Sequence, residues 1–596
     1  MPVRLFLLSA LLLPLLPSAH AQRLTYPDTR RDTTVVEDYH GTAVADPYRW
    51  LEDTNSDETR AWVEAQNEVT FAYLGAIDER AAIERRLTAL WDYEKVGAPF
   101  KEGDHYFFFR NSGLQNQSVL YQQDALDAQP EVVLDPNTLS EDGTVALATL
   151  AFSEDGRYLT YGLSEAGSDW RTFRIRDLGT GEDLDDVLRW IKFSGASWTH
   201  DGAGFFYSRY PRPQREGDTY EEVNEGQRLY YHRLGTDQAE DRLVYTPADP
   251  KLGVGASVTE DGRWAVLSIW DGTAPENELY VLDLDAEGAE PQPFLTGFDA
   301  EYRVVGTDGT TFYVLTNHDA PNRRLVAIDL EAPDPSQWET LIPESEAVIE
   351  DVDVINDRFV VQALDDVAAR LTIHALDGAL VKEVELPALG SVGGVTGERD
   401  DAELFYSFTS FTYPTTVYRY DFETGESTVF KAPEVDFDPD AYVVEQAFYP
   451  SKDGTEIPMF IVYREDLERD GENPTYLYGY GGFDISVTPS FSVSNLVWME
   501  MGGVVAIANL RGGGEYGQAW HEAGMLGNKQ TVFDDFIAAA EYLIDEDFTR
   551  PEKLAISGRS NGGLLVGAVM TQRPDLFAAA LPAVGVMDML RFHKFT

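Results

Sequence analysis

From about Asp92 the chain alternates short aromatic and β-branched runs with turn pairs, and the alternation repeats over a long period. The turn pairs fall at Gly103-Asp104, Asp155-Gly156, Asp201-Gly202, Asp261-Gly262, Asp308-Gly309, Asn356-Asp357 and Arg399-Asp400. They introduce "HYFFF", "RYLTYGL", "GFFYSRY", "RWAVLSIW", "TFYVLTN", "RFVVQAL" and "ELFYSFT", and second runs such as "SVLYQ", "RTFRIRD" and "ELYVLDL" follow. Runs of this length and composition, bounded by turn residues, predict β-strands. The units recur roughly 43 to 60 residues apart, the spacing of four-stranded blades. A ring of blades lets each sheet bury both faces and protects its edges. A seven-bladed β-propeller is therefore predicted over residues 93–440; a stack of sandwiches would not require the near-even spacing.

The pattern differs on both sides of this array. Residues 54–90 read as helical, with charges on one face and Trp62, Val69, Phe71, Tyr73 and Leu74 available to pack, within an N-terminal segment (22–92) expected to lie on the C-terminal domain. From Ala441, "YVVEQAFYPS" and "EIPMFIVYRE" predict a hairpin across Lys452-Asp453-Gly454, and "PTYLYGYGG" and "GGVVAIANLRGGGEYG" two core strands. In residues 529–546, Val532, Phe533, Phe536, Ile537, Ala540, Tyr542 and Leu543 fall largely on one helical face. Strand, helix and strand then lead into "LAISGRSNGGLLVGAV", and residues 578–586 predict one more strand. This alternation is that of a mainly parallel sheet, an α/β domain over 441–596.

"LAISGRSNGGLLVGAV" carries the first chemical signal. Gly558-Arg559-Ser560-Asn561-Gly562, between an apolar strand and an apolar helix, fits the G-x-S-x-G nucleophile elbow in the context that motif needs. A serine hydroxyl there becomes a nucleophile when a histidine, oriented by a carboxylate, takes its proton. The acyl-transfer oxyanion needs fixed donors, and the backbone N–H of Asn561 is the expected one. A second should come from the loop after an earlier strand, where "YGYGGF" places the hydroxyl of Tyr480; the same segment also reads as a tight turn with packed aromatics. "NLRGGGEYG" lacks the lysine and hydroxyl of a phosphate loop, so Arg511 is expected either to bind a carbonyl or carboxylate of a substrate or to pair with Glu515. Of the histidines near this domain, His521 precedes the elbow and His593 follows it; His593 is expected to pack or lie on the surface.

Composition narrows the choice of function. The 596 residues carry 103 acidic against 46 basic side chains, a formal charge of −57, which repels nucleic acid and anionic membrane surfaces. The surplus fits a protein kept soluble at high salt or an acidic exported protein. At the N-terminus an early arginine, the apolar run from Leu5 to Leu16 and Ala19-His20-Ala21 predict a signal peptide over 1–21, hence a periplasmic or secreted protein. The absence of cysteine excludes disulfides and thiolate metal sites.

Together, "DYHGTAVADPYRWLED", "SKDGTEIPMFIVY", "YLYGYGGFDIS", "ANLRGGGEYG", "NKQTVFDDFIAAAEYLI", "SGRSNGGLL" and "QRPDLFAAALPAVGVMDMLRFHKFT" resemble the prolyl oligopeptidase family of serine peptidases, from about Tyr26 to the last residue. The resemblance implies a propeller capping an α/β-hydrolase domain. It implies Ser560 as nucleophile, Tyr480 and the Asn561 N–H as oxyanion hole, Phe483 and Val586 lining a proline pocket, and Arg511 holding the substrate backbone. Asn561 fits prolyl oligopeptidases, whereas basic-residue-specific relatives carry alanine there and dipeptidyl peptidases tyrosine; Arg559 departs from the usual glycine. The implied substrates are short proline-containing peptides, cut by a monomer without cofactor, metal, nucleic acid or membrane. In the family the catalytic aspartate and histidine lie beyond the position of Thr596, so the sequence as given is expected to be a truncated α/β-hydrolase domain with little activity. An oligopeptidase specific for basic residues, an esterase and a non-catalytic propeller binding module are the alternatives.

Overall fold

The computed structural model describes residues 24–212 and 224–594, so the predicted signal peptide lies outside the described residues. The chain divides into two compact units, 1–86 and 87–596. In the first, the strands Val36–Tyr39 and Thr42–Ala45 form a hairpin. The predicted single helix is two, Asp57–Gly75 and Arg80–Trp91. Ser56 caps the former by accepting from the Thr59 N–H at 3.1 Å. Gly75 ends it, as a residue with high helical entropy cost does. Phe71 and Tyr73, expected to pack, are exposed.

In the second unit seven antiparallel sheets follow one another along the chain. The first runs from Lys95 to Leu134 and has five strands; the other six have four each and end at Lys431. Alternation along each strand sends side chains to both sheet faces, and neighbouring sheets bury them against each other. Phe173, Ile175 and Leu188 of the second sheet thus pack with Trp198, Phe205 and Tyr207 of the third. The seven sheets are the blades of a β-propeller. At one end, Arg399 of the seventh blade reaches three others: its N–H donates to Glu260 at 3.1 Å, its Nη1 to the Thr307 carbonyl at 2.9 Å, and its side chain pairs with Asp357 at 3.0 Å. Carboxylates crowd the same end. Burial, with Glu398 and Glu154 nearby, pushes Glu102 up to about 8, and burial and its acidic neighbours push Glu398 up to about 7.

Residues from Tyr442 onward build the α/β domain. Its elements are β1 (Tyr442–Pro450), β2 (Glu456–Arg464), β3 (Thr475–Gly479), α1 (Val493–Glu500), β4 (Val504–Ala508), α2 (Gly517–Glu522), α3 (Lys529–Asp545), β5 (Leu554–Arg559), α4 (Asn561–Gln572) and β6 (Ala579–Ala583). The sheet order is β1-β2-β4-β3-β5-β6. β1, β2 and β4 pair antiparallel; β4, β3, β5 and β6 pair parallel. The parallel strands β3, β4 and β5 are largely buried because helices cover them, whereas β6, at the sheet edge, is partly exposed. Val532, Phe536 and Leu543 of α3 and Leu565, Val566 and Val569 of α4 pack in one core with Leu477, Ala506 and Ile556. Each such buried side chain contributes about 1.5–3 kcal/mol. Gly479 ends β3 where a side chain would strike the Phe536 ring, so the helix lies close under the loop that follows.

Candidate active site

Ser560 stands between β5 and α4 with φ 57° and ψ −117°. A non-glycine residue in this region costs about 1–3 kcal/mol and persists only where its surroundings enforce it. Here its N–H donates to the Ala583 carbonyl at 3.0 Å, and its carbonyl accepts from the N–H groups of Gly563 and Leu564 at 2.9 and 3.2 Å. Gly558 and Gly562 permit the bend. A methyl at 558 would collide with the Gly562 carbonyl, and one at 562 would lie 2.6 Å from the Gly479 carbonyl. The outcome is an exposed serine at the carboxyl end of a buried parallel strand.

Tyr480 follows β3, the strand beside β5. Burial raises the pKa of its phenol, and the neighbouring Ser560 side chain pulls the other way. A phenol so raised stays protonated and donates. Asn561 fixes the loop beneath it, its buried amide donating to the carbonyls of Tyr480 at 2.6 Å and Gly481 at 3.0 Å. Lys529 donates to the Gly481 carbonyl at 2.7 Å, and burial lowers this amine to about 8. The Asn561 N–H, in the first turn of α4, has no acceptor within its helix. Ser560, the Tyr480 phenol and this N–H thus occupy one corner. The supporting roles of the Asn561 amide and Lys529 were not anticipated from sequence. One signal existed for Lys529: a cation opening a helix opposes the helix dipole, so it needs another partner.

Arg511 is a correction. It is 6% exposed and its donors are consumed within the domain. Nε and Nη2 donate to Asp535 at 2.9 and 2.5 Å, Nη1 and Nη2 to Asp453 at 2.6 and 3.2 Å, and Nη1 to Thr455 at 3.1 Å. Burial opposes the guanidinium charge, but Asp535 and Asp453 raise its pKa on balance, and the hydrogen bonds from Arg511 hold Asp453 well below the usual carboxylate range. Arg511 therefore ties β4 to α3 and to the β1–β2 turn; it offers no donor to a substrate. Nor does it pair with Glu515, which accepts from the Val487 N–H and the Asn509 amide, burial pushing it up to about 7.

Phe483 and Val586 are both exposed, at 51% and 45%. They lie on the loops after β3 and β6, the strands flanking β5. Phe483 and Asp484 both take positive φ, 58° and 55°. The two histidines do not reach the serine. His521 is buried, its Nδ1 2.7 Å from the Gly512 carbonyl and 3.0 Å from the Asp484 N–H. His593 is exposed, its ring 6.1 Å from that of Phe592. Among the described residues no imidazole is hydrogen-bonded to Ser560, no group of three or more His, Asp or Glu is arranged to hold a metal, and no helix is long and apolar enough to cross a membrane.

Comparison with known proteins agrees with this geometry. Residues 27–433 match the prolyl oligopeptidase N-terminal β-propeller domain, and residues 489–596 match the prolyl oligopeptidase family peptidase domain. The chain is 46% identical to a prolyl endopeptidase of Elizabethkingia meningoseptica, over 96% of this chain and 80% of that protein. It is 35% identical to a prolyl endopeptidase of Dictyostelium discoideum, over 96% of this chain and 85% of that one. A solved prolyl endopeptidase structure superposes with a TM-score of 0.92 at 39% identity, covering 96% of this chain and 84% of the other. Prolyl oligopeptidase B of Galerina marginata, bound to a 25-residue macrocyclization substrate, gives 0.91 at 34% identity, covering 96% and 84%. With a seven-bladed propeller, an α/β-hydrolase domain and a serine on a nucleophile elbow, this chain belongs to the prolyl oligopeptidase family of serine peptidases.

Proposed function

We propose that the protein is an endopeptidase that cuts short peptides on the carboxyl side of proline through an acyl-enzyme on Ser560. The observation that carries the reading is the strained, exposed Ser560 beside the Tyr480 phenol, on a loop pinned by Asn561. Ser560 Oγ forms a bond to the proline carbonyl carbon while a general base takes its proton and the carbonyl π electrons move to oxygen. That oxygen takes hydrogen bonds from the Tyr480 hydroxyl and the Asn561 N–H, which strengthen as charge develops. Collapse breaks the C–N bond, the proton passes to the leaving amine, and water hydrolyses the ester. Phe483 and Val586, apolar and exposed on the two loops flanking the elbow, suit the proline ring. The relatives named prolyl endopeptidases support this specificity, and the polar bridge of Arg399 across one end of the propeller supports a preference for short chains.

A panel of matched proline, arginine and simple ester substrates tests the reading by the ratios of their kcat/KM, which even weak catalysis reveals. Proline is expected to lead by at least tenfold, about 1.4 kcal/mol; arginine or the ester leading would reject it. Export to the periplasm or beyond belongs to the same proposal, supported by the apolar run and small-residue site in residues 1–21. A mature N-terminus at Gln22, read by mass spectrometry, is the expected result; retained Met1 in the exported fraction would contradict it.

A further inference from the structure

Arg323, on the turn before the third strand of the fifth blade, reaches out of the propeller. Its backbone has φ 68°, and its half-buried guanidinium makes three kinds of contact. Nε donates to Glu301 at 2.9 Å, Nη1 to the Ile349 carbonyl of the sixth blade at 3.2 Å, and Nη2 to Asp484 of the α/β domain at 3.0 Å. The fork is thereby fixed from two blades before it meets the other domain, an arrangement a lysine does not reproduce.

Asp484 stands four residues beyond Tyr480 and directly after Phe483. Its surroundings are unfavourable to a free carboxylate. Burial raises its pKa and Arg323 is the leading opposing influence. Its Oδ1 is buried without a hydrogen-bond partner, so Oδ2 and Arg323 carry the compensation. A cavity of about 310 Å³ between the two domains is lined by Asp484, Ser486, Glu350 and Ser391 among others. The backbone is held from the α/β side as well: the Asp484 N–H meets Gly512 and His521, and a side chain on Gly514 would strike the Asp484 carbonyl at 2.5 Å. Two successive non-glycine residues with positive φ at 483 and 484 do not hold that shape unaided.

We infer that Arg323 is a positioning residue for catalysis: from the propeller it holds Asp484, and through Asp484 it sets the strained loop that presents Phe483 to the substrate and Tyr480 to the oxyanion. The fit of the propeller on the α/β domain then becomes a condition for a complete oxyanion hole. Without the guanidinium, the Asp484 carboxylate is drawn toward water, Phe483 moves with it, and the Gly481-Gly482 pair transmits the shift to Tyr480.

The inference rests on the peptidase reading, and the test separates the two. Wild type, Arg323→Met, Arg323→Lys and the double variant Arg323→Met with Asp484→Asn are compared by melting temperature, by hydrogen exchange of amides 480–486, and by kcat and KM on a proline peptide. The double variant removes both members of the pair, so Asp484 is not left with an uncompensated charge, and Glu301, partly exposed, turns to water. It is expected to exchange these amides roughly tenfold faster than wild type while the blades are unchanged, and to lose about ten- to a hundredfold in kcat. Arg323→Lys is expected to recover the melting temperature but not the kcat, because it restores charge without the fork. Wild-type exchange and kcat in the double variant would overturn the inference, as would full rescue of kcat by lysine. Arginine or ester substrates turned over faster than proline would reject the peptidase reading, and the exchange result still decides the role of Arg323 in holding the loop.

Discussion

Replacing Arg511 by methionine distinguishes a structural arginine from a substrate-binding one. The guanidinium is nearly sealed from solvent and faces Asp535, whose side chain is fully buried, and Asp453, whose side chain is half exposed. After the substitution Asp453 turns to water, but Asp535 retains only the Ser451 hydroxyl at 2.5 Å and the backbone N–H of position 511 at 3.3 Å. Leaving one member of a buried ion pair uncompensated costs about 3–5 kcal/mol. For a domain of this size each kcal/mol lowers the melting temperature by about 2–4 °C, so a loss of roughly 6–20 °C is expected. Adding Asp535→Leu removes the stranded charge and should return part of the loss, a coupling within the 0.5–3 kcal/mol range of contacting residues. Differential scanning calorimetry follows the α/β transition, and the KM for a proline peptide is measured below it. The reasoning is refuted if Arg511→Met melts within 2 °C of wild type while its KM rises, the pattern of a lost substrate contact.

Other consequences follow from the same geometry. Tyr480→Phe should lower kcat about 10²–10³-fold with little change in KM, because the phenol binds the oxyanion more strongly than the ground state; an unchanged kcat removes Tyr480 from the mechanism. Asn561→Ala keeps its N–H but frees the Tyr480 carbonyl and leaves the Gly481 carbonyl to Lys529 alone, a loss of about 1–3 kcal/mol that calorimetry should detect together with a slower reaction. Alkaline pH should destabilise the propeller for two reasons. Burial alone would depress His232, but Asp241 at 2.7 Å and Asp186 at 3.0 Å raise its pKa on balance. Its stabilisation is therefore full below the ordinary histidine value and lost as pH passes the raised one. Glu102, pushed up to about 8, holds a proton in the folded state that the unfolded chain releases, so stability also declines from about pH 5 to pH 8. Melting curves from pH 5 to pH 9 should slope downward and flatten in His232→Asn and Glu102→Gln; unaltered slopes would contradict both assignments.

The features legible in the sequence were those whose physics is local. Blade strands announce themselves by aromatic and β-branched runs between Asp-Gly turns, and the elbow by glycines placed where Gly558 and Gly562 let strand and helix touch. Tyr480 could be proposed because a donor loop must follow the strand beside the elbow. Arg511 was misread because its partners Asp453 and Asp535 lie 58 and 24 residues away, brought together only when the β1–β2 turn, β4 and α3 meet. Asp535 itself occupied a polar position in an amphipathic pattern, and nothing in that pattern shows that it is buried. The link between Arg323 and Asp484 spans 161 residues and two domains, beyond any periodicity. The N-terminal helix was overextended because the charge pattern of residues 54–90 continues across the break between Gly75 and Arg80.

The most direct measurement is a crystal structure of the protein with a proline-based peptidyl boronic acid, whose tetrahedral boron imitates the intermediate of acyl transfer. A bond from boron to Ser560 Oγ is expected, with one boronate oxygen about 2.7–3.1 Å from both the Tyr480 hydroxyl and the Asn561 nitrogen, and the proline ring between Phe483 and Val586. Boron bound to another side chain, or a boronate oxygen turned away from Tyr480 and Asn561, would contradict the account.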